Sequence, residues 1–587
     1  LDAAGAVVAS DVAIDADGRY ENVTLTGAAP WRIEACGHAG PNYLCVYSVA
    51  GAAGTANVTP LTTATVLLAA NQAPDALMSG TAPALTANSV EAAQTQLRNS
   101  LSSVLSGAGV SGAFDFVSGA LAAGSRTAYD AVLDAVGVNV GPDAQPFVQI
   151  TPRLGSGNLY LEQGTSTGTV TAAAGASSID LSGLETLFRD MSTAIGSAGA
   201  CTAPATGLRR SLAANAQMSI DGPTPIAGAA NVEQALCGFF ADFDGGGPMW
   251  GARFLSPTLG RCDLSGAAPV CAVSFVLGLP DGGVMPVGNG MGVTQEAGVW
   301  KFQGDLLPIS INADARAQRT RRVDGGESFL DYNRAFAFDI AAVPGLACAR
   351  VAQRNAAGTV VPMAFFKLHP GATDQHRLAL WTTDGFGNSP SVNPLVGTTR
   401  SGDDTWVAVP DGSTGDDVIR NFYRGGRSVT ISLYSDANCS VAHAIGGKSE
   451  YEVDVDGVPP LWAEMENLPW PELTAATRTA LGALSLGSNA DGTLDVGWAY
   501  ARGPLGVNGV SVCGDRATCG QGGAGRLGER DVRASVVSAA IELHNGGPAL
   551  EPASSKMVSI HGRNGEGVSM QSNYTSCPAT PSGQRCN

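Results

Sequence analysis

Along most of the chain, apolar and polar residues alternate in short runs bounded by Gly, Pro, Asn and Asp. That is the period of half-buried β-strands separated by turns. From the N-terminus the pattern predicts strands at Tyr20–Leu25, Trp31–Ala35 and Leu44–Val49, with the turn Asp15-Ala16-Asp17-Gly18 before the first. The period then changes to 3.6. Thr59 is a natural N-cap with Pro60 at the first helical position. A second helix is predicted from Asn88 to Leu105, with Val90, Leu97, Leu101, Val104 and Leu105 on one face, Glu91 supporting the cap and Gly107 ending it. A third carries Tyr129, Val132, Leu133 and Val136, and together these helices form a small insert feeding strands around 138–172.

Two further helices, one with Leu184, Leu187, Phe188, Met191 and Ile195, the other with Val232, Leu236, Phe239 and Phe240, precede strands at Cys271–Leu277, Val299–Phe302 and Ile309–Arg322. From about 325 to 455 every signal is β: Phe336–Ile340, Ala364–Leu368, Arg377–Trp381, Trp406–Val409 and Val429–Leu433. A Pro-rich bridge from Val458 to Pro471 leads to a helix at Leu473–Leu484 and a last β-rich segment. The expected fold class is multidomain and mainly β, serial β-sandwiches with a small helical insert and an α+β cone. The expected divisions are 1–58, a truncated sandwich; 59–180, the helical insert with short strands; 181–324, the α+β cone; 325–457, a sandwich; and 458–587, a linker helix and a final sandwich.

Four passages resemble known families. The DADGRY turn followed by PWRIEA resembles the carboxypeptidase-regulatory-like, transthyretin-like β-sandwich, and 1–58 would be such a domain short of its first strands. NVTPLTT after YSVA resembles a join in uncharacterised proteobacterial surface lipoproteins. Leu494-Asp495-Val496-Gly497-Trp498 with Arg502-Gly503-Pro504 resembles the early tryptophan strand of fibronectin-type or immunoglobulin-like domains. The element order around GVWKFQGD resembles an NTF2-like cone. These resemblances imply a bacterial cell-surface protein.

Composition narrows the compartment. Twelve cysteines fall into successive couples: Cys36/Cys45, Cys201/Cys237, Cys262/Cys271, Cys348/Cys439, Cys513/Cys519 and Cys577/Cys586. An even count, local spacing and no CxxC argue for disulfides in an exported protein. Sequence does not determine connectivity; neighbour pairing is the expectation, with Cys348 and Cys439 as an inter-sheet bridge. A formal charge of -18 disfavours nucleic acid and anionic membranes as partners. No run of apolar residues is long enough to span a bilayer, and Leu1 opens directly into strand-like sequence. The expectation is an export signal removed upstream of Leu1, with an N-terminal lipid anchor as the one route to membrane contact. The expected location is extracellular or on the outer-membrane surface of a Gram-negative bacterium.

Catalytic vocabulary is sparse. Gly164-Thr165-Ser166-Thr167-Gly168 matches the nucleophile-elbow pattern formally, but a run of Thr, Gly, Ala and Ser follows where a helix is needed, and no histidine lies between His38 and His369. His369 and His376 lie in one turn-rich passage without a completing ligand. D-x-D-G occurs at Asp15/Asp17, Asp242/Asp244 and Asp454/Asp456, each read first as a turn. Asp242 and Asp244, after a helix and before Gly245-Gly246-Gly247, are the pair best suited to calcium, the one cofactor weighed. Arg316, Arg319, Arg321 and Arg322 are read as a solvated strand face paired with local acids. The function expected is a structural or binding protein, not an enzyme, whose partner is another surface protein or further copies of itself. Loops Asp384–Asn388, Arg424–Arg427 and Cys513–Arg526 are the candidate binding loops, and an open edge of the first sandwich is the candidate assembly point. The alternative is a secreted hydrolase of polysaccharide with paired carboxylates in a cleft.

Overall fold

The structure is a computed structural model. It describes residues 1–587 except 16, 40–41, 73, 79–84, 142–145, 173–181, 205–206, 221–224, 243–247, 265, 281–283, 325–329, 355–358, 369–375, 382–404, 456, 501–505, 515–524, 533–536, 564–566 and 581–587. The chain is multidomain and mainly β, with six sheets among the described residues.

Strands β1 (Trp31–Ala39) and β2 (Asn42–Ala50) form an antiparallel hairpin in which Cys36 sits opposite Cys45 and is bonded to it. Residues 20–25, expected as a strand, join no ladder; Asn22 in the left-handed region (φ 60°) interrupts the extended run. The hairpin leans through Val49 on α1 (Pro60–Ala70), which is buried from Leu61 to Ala69. Thr59 caps α1 as expected: its Oγ1 accepts from Thr62 N, Thr62 Oγ1 accepts from Thr59 N, and the Thr59 hydroxyl also meets Tyr129 OH at 2.9 Å.

Helices α2 (Pro74–Leu77), α3 (Ala87–Ser100), α4 (Ser102–Gly107) and α5 (Ala128–Ala135) follow. The expected single helix over 88–105 is thus broken at Leu101, which leaves helical geometry (φ -102°, ψ 15°). Thr86 and Ser89 form the capping box of α3, while Glu91 pairs with Arg98 at 2.5 Å instead of supporting the cap. The meander β3 (Val136–Gly141), β4 (Phe147–Pro152), β5 (Gly155–Glu162) and β6 (Thr165–Ala172) shares one core with these helices.

Next come α6 (Ser182–Ala194), α7 (Ala198–Cys201), β7 (Leu212–Met218), β8 (Ile226–Ala227), α8 (Ala229–Ala241), β9 (Arg253–Asp263), β10 (Val270–Gly278), β11 (Val284–Glu296) and β12 (Val299–Asp305). They build the α+β cone. Its sheet order is β8-β7-β12-β11-β10-β9, with β12 parallel to β7. The apolar stripe of α6 fills the cone: Phe188 makes edge contacts with Phe254, Phe275 and Phe302, and Trp300 closes the cluster. The Cys201–Cys237 bridge ties α7 to α8, and Cys262–Cys271 links β9 to β10.

The remaining elements are β13 (Ile311–Arg322), β14 (Leu330–Ile340), β15 (Cys348–Arg354), β16 (Val360–Lys367), β17 (Ala379–Leu380), β18 (Trp406–Ala408), α9 (Gly412–Arg424), β19 (Ser428–Tyr434) and β20 (Glu450–Asp454). Then come β21 (Pro471–Leu473), α10 (Ala475–Ala483), β22 (Ala490–Tyr500), β23 (Gly506–Cys513), β24 (Arg526–Asp531), β25 (Ser538–Asn545), β26 (Lys556–Arg563) and β27 (Ser569–Ser576). Sequence order groups β13 with the cone. Its hydrogen bonds run instead to β14 and, in parallel, to β27, in a seven-stranded sheet ordered β18-β14-β13-β27-β26-β23-β24.

That sheet serves two cores. Ala313, Phe336, Phe338 and Ile340 pack with the five-stranded sheet β17-β16-β15-β19-β20, whereas Ala315 and Ala317 pack with the three-stranded sheet β21-β22-β25. Strand β13, leading out of the cone, is therefore bonded to the C-terminal strand of the last unit. Cys348–Cys439 joins β15 to the loop after β19, its neighbour in the same sheet, so it is not an inter-sheet bridge. Cys513 and Cys577 are also disulfide-bonded; their expected partners Cys519 and Cys586 lie outside the described residues.

Candidate functional site

Four sheets contribute to a cleft of about 970 Å3. Strand β9 is the edge of the cone sheet and β20 the edge of the five-stranded sheet, and both line the cleft, with Ser156 of β5 and Thr171 of β6 behind them. The 306–313 segment leading into β13 forms its floor. Alternation along β20 sends Tyr451 and Val453 to the core and leaves Glu450, Glu452 and Asp454 along the other face.

Arg261 of β9 reaches across. Its guanidinium holds Glu452 at 2.8 Å and Asp454 at 2.9 Å. Burial pushes the Glu452 carboxyl up, but hydrogen bonds and charge from Arg261, with Ser428, outweigh it and leave the group below its ordinary value. Glu450 accepts from Ser432 Oγ at 2.9 Å. On the opposite wall burial raises the Asp305 carboxyl, against a 2.6 Å hydrogen bond from Ser219 N. The described lining holds five carboxylates against two cations, Arg261 and Lys448.

Sequence reading missed this cluster because Arg261 and Glu452 are 191 residues apart. The Glu-x-Glu-x-Asp spacing of 450–454, three acids on one strand face, was the available signal. The D-x-D-G spacing marks Asp454 with Asp456 as a turn, and Asp456 lies outside the described residues.

The arginine run is structural in a different way from the one expected. Arg316 pairs with Asp314 and lies over Trp406, and Arg321 pairs with Glu472, but Arg319 and Arg322 are buried. Arg319 donates to Glu472 (2.6 Å), Ser572 (3.1 Å), Tyr574 OH (2.6 Å) and Pro471 O (3.3 Å), stacked on Trp470. Arg322 is held by Asp324, Cys577 O and Thr580 O. The local acids are there; the solvated face is not, because β27 and β21 cover the strand.

Of the D-x-D-G pairs, Asp15 forms the expected turn, its Oδ1 accepting from Asp17 N and Arg19 N. Asp242 is the exposed C-cap residue of α8, and Asp244 lies outside the described residues. Among the described residues, one group places three potential metal ligands together, Glu34 with Cys36 and Cys45, and both sulfurs there are consumed in a disulfide. Ser166 lies on β6 just past a hairpin turn, not at a strand-to-helix elbow, with its hydroxyl near Gln96 and Ser100. His369 is outside the described residues. His561 meets Ser511 Oγ at 3.3 Å, and burial with the Arg316 and Arg526 guanidiniums pulls it down to about 4.

Among the candidate loops, 384–388 and most of 513–526 lie outside the described residues. The 424–427 loop is an internal junction. Asn158 Nδ2 donates to Tyr423 O and Arg424 O, Arg424 pairs with Glu162 at 3.3 Å, and Phe147 packs on Tyr423.

No family model matches the chain, and no curated protein matches it. Two of the solved structures that align with the chain are bacterial adhesion proteins. One, described as structural insight into host cell surface retention of a 1.5-MDa bacterial ice-binding adhesin, aligns at 11% identity over 53% of this chain and 73% of that chain, with a TM-score of 0.14. The other, a tetra-tandem repeat in the extending region of a large adhesion protein, aligns at 11% identity over 56% and 75%, with a TM-score of 0.10. Scores this low carry neither fold nor function to the present chain.

Proposed function

We propose that this chain is a bacterial extracellular or cell-surface protein that binds a partner or builds a surface assembly, held outside the cell of a Gram-negative bacterium by an N-terminal lipid anchor. The observation that carries the reading is the cystine set. Bridges Cys36–Cys45, Cys201–Cys237, Cys262–Cys271 and Cys348–Cys439 are formed in successive parts of the chain, and the described cysteines include no free thiol. Such bridges persist in oxidising compartments.

The use of polar chemistry supports the non-catalytic half. Two arginines of the run join sheets, the cone is packed with phenylalanines, and Glu452 and Asp454 in the cleft hold Arg261. The finer family reading, a surface lipoprotein with a transthyretin-like start and a fibronectin-like end, rests on the sequence resemblances.

The test uses cells producing the full-length protein. Protease shaving and antibody labelling of intact cells should find it outside, and palmitate labelling should report the anchor. Electron microscopy of the released protein should show a filament or a complex with another surface protein. Recovery only from the cytosol with reduced thiols would end this reading, and release of sugar from polysaccharide by the purified chain would replace it with the hydrolase.

A further inference from the structure

Strand β13 brings the chain into the C-terminal half of the molecule and β27 is the last strand before it leaves. The two lie side by side and parallel, from Arg316 opposite Ser569 to Arg322 opposite Thr575. The direction of that pairing decides how the seam meets tension. A pull from the N-terminal side draws β13 back past its own start, and a pull from beyond Ser576 draws β27 forward past its end. In parallel neighbours these are opposite ends of the seam, so the strands are sheared past one another and all their bonds are loaded together. An antiparallel pair entered and left in the same way would be pulled at one end and would open bond by bond.

Side chains tie the seam along its length. Ser569 Oγ donates to Asp314 at 3.0 Å, Gln318 Nε2 donates to Gln571 at 3.1 Å, and Arg319 donates to Ser572 and Tyr574. Where the chain leaves, the buried Arg322 guanidinium donates to Cys577 O at 2.9 Å and Thr580 O at 2.6 Å, and Asp324 accepts from Cys577 N at 3.1 Å. The pulled end of β27 is thus fastened by charge-assisted bonds at the residues that feel the load first. On their outer sides β13 is bonded to β14 and β27 to β26, so neither strand slides without breaking a second ladder. Everything from Val323 to Val568 lies between the two strands in sequence, and it bears no tension until the seam gives way.

We propose that the β13–β27 seam is a mechanical clasp, which transmits tension along a chain held at the cell on its N-terminal side and pulled from beyond β27, and shields the folded sheets between. The source of the tension rests on the cell-surface reading above; the clasp is what the C-terminal half adds to it.

The test is single-molecule force spectroscopy of the full chain at constant force, with the pulling handles placed in two ways. Asn312 and Ala579 are exposed, one at the start of β13 and the other just past β27, so handles there shear the seam. Leu330 is exposed and opposite Arg321, at the end from which β27 leaves, so handles at Leu330 and Ala579 open the sheet from that end. Forced unfolding is governed by the unfolding rate, and at equal force the folded lifetime should be at least about tenfold longer in the shearing geometry, because several bonds break together and not in turn. In that geometry Arg322→Lys, which loses the planar fork, should shorten the lifetime by about tenfold. Gln571→Ala, which loses one neutral tie and leaves the fold's apolar cores alone, should shorten it by about threefold. Equal lifetimes in the two geometries, a longer lifetime when the sheet is opened from one end, or a shearing lifetime unmoved in both folded variants would each overturn the proposal. None of these outcomes touches the cell-surface reading, which falls only on localisation and thiol state.

Discussion

Replacing Arg319 with leucine should destabilise the C-terminal unit by about 3 kcal/mol. The guanidinium is 6% exposed and joins β13 to β21 and β27 through Glu472, Pro471 O, Ser572 and Tyr574. Removing one partner of a buried pair costs about 3–5 kcal/mol, because the other charge is left without compensation. Glu472 is 30% exposed and keeps Arg321 at 3.1 Å, which puts the loss at the lower end of that range. Arg319→Lys keeps the charge but not the planar fork that reaches four acceptors, so it should cost about half as much, roughly 1–2 kcal/mol. The assay is denaturant unfolding followed by tryptophan fluorescence, since Trp470 lies under the guanidinium at 5.3 Å and reports this unit. A cycle with Glu472→Gln isolates the pair from the remaining contacts. Leucine within about 1 kcal/mol of the parent protein, the range of an exposed pair, would show that the pair is solvated and refute the reasoning; so would a lysine variant as damaged as the leucine one.

His561 is held at about 4 against an ordinary 6.5, so the unfolded chain takes up the proton first. Stability should therefore be full above pH 6.5 and fall as pH drops toward 4, by about 2 kcal/mol after allowance for partial exposure; His561→Asn should flatten that slope, and an unchanged slope would exclude this group. Replacing Cys201 and Cys237 together by serine opens a bridge of sequence separation 36 and should cost about 3–4 kcal/mol, read by thermal unfolding of the cone. Phe188→Ala should cost about 3–5 kcal/mol in the same assay, because three rings close on that side chain. Thr59→Ala removes both the N-cap of α1 and the contact to Tyr129, and amide exchange in α1 should report a loss of about 1–2 kcal/mol.

How much was legible in the chain depends on the range of the interaction. The cap of α1, the stripe of α6 and the turn at Asp15 are set by residues within about ten positions, and the sequence alone determined them; the hairpin bridges Cys36–Cys45 and Cys262–Cys271 follow the neighbour pairing that local spacing favours without fixing it. The mainly β class followed from the period-2 pattern for the same reason. Where a local rule failed, a backbone detail intervened, as with Asn22 in the left-handed region and the break at Leu101.

Pairing between distant strands was decided only in three dimensions. Alternation marks Ile311–Arg322 as a strand but carries no label for its partner, so nothing local says that its ladder runs to β27, some 250 residues on. Burial of Arg319 and Arg322 follows from that pairing: on an open edge they would be part of a solvated face, and with β27 alongside Arg319 reaches Glu472 and Pro471 O of β21 while Arg322 is held by Cys577 O and Thr580 O just past β27. The cleft has the same origin. Arg261, Glu452 and Asp454 are ordinary surface charges in the sequence, and they form a site because two sheet edges meet, through burial of apolar faces that lie nowhere near them in the chain.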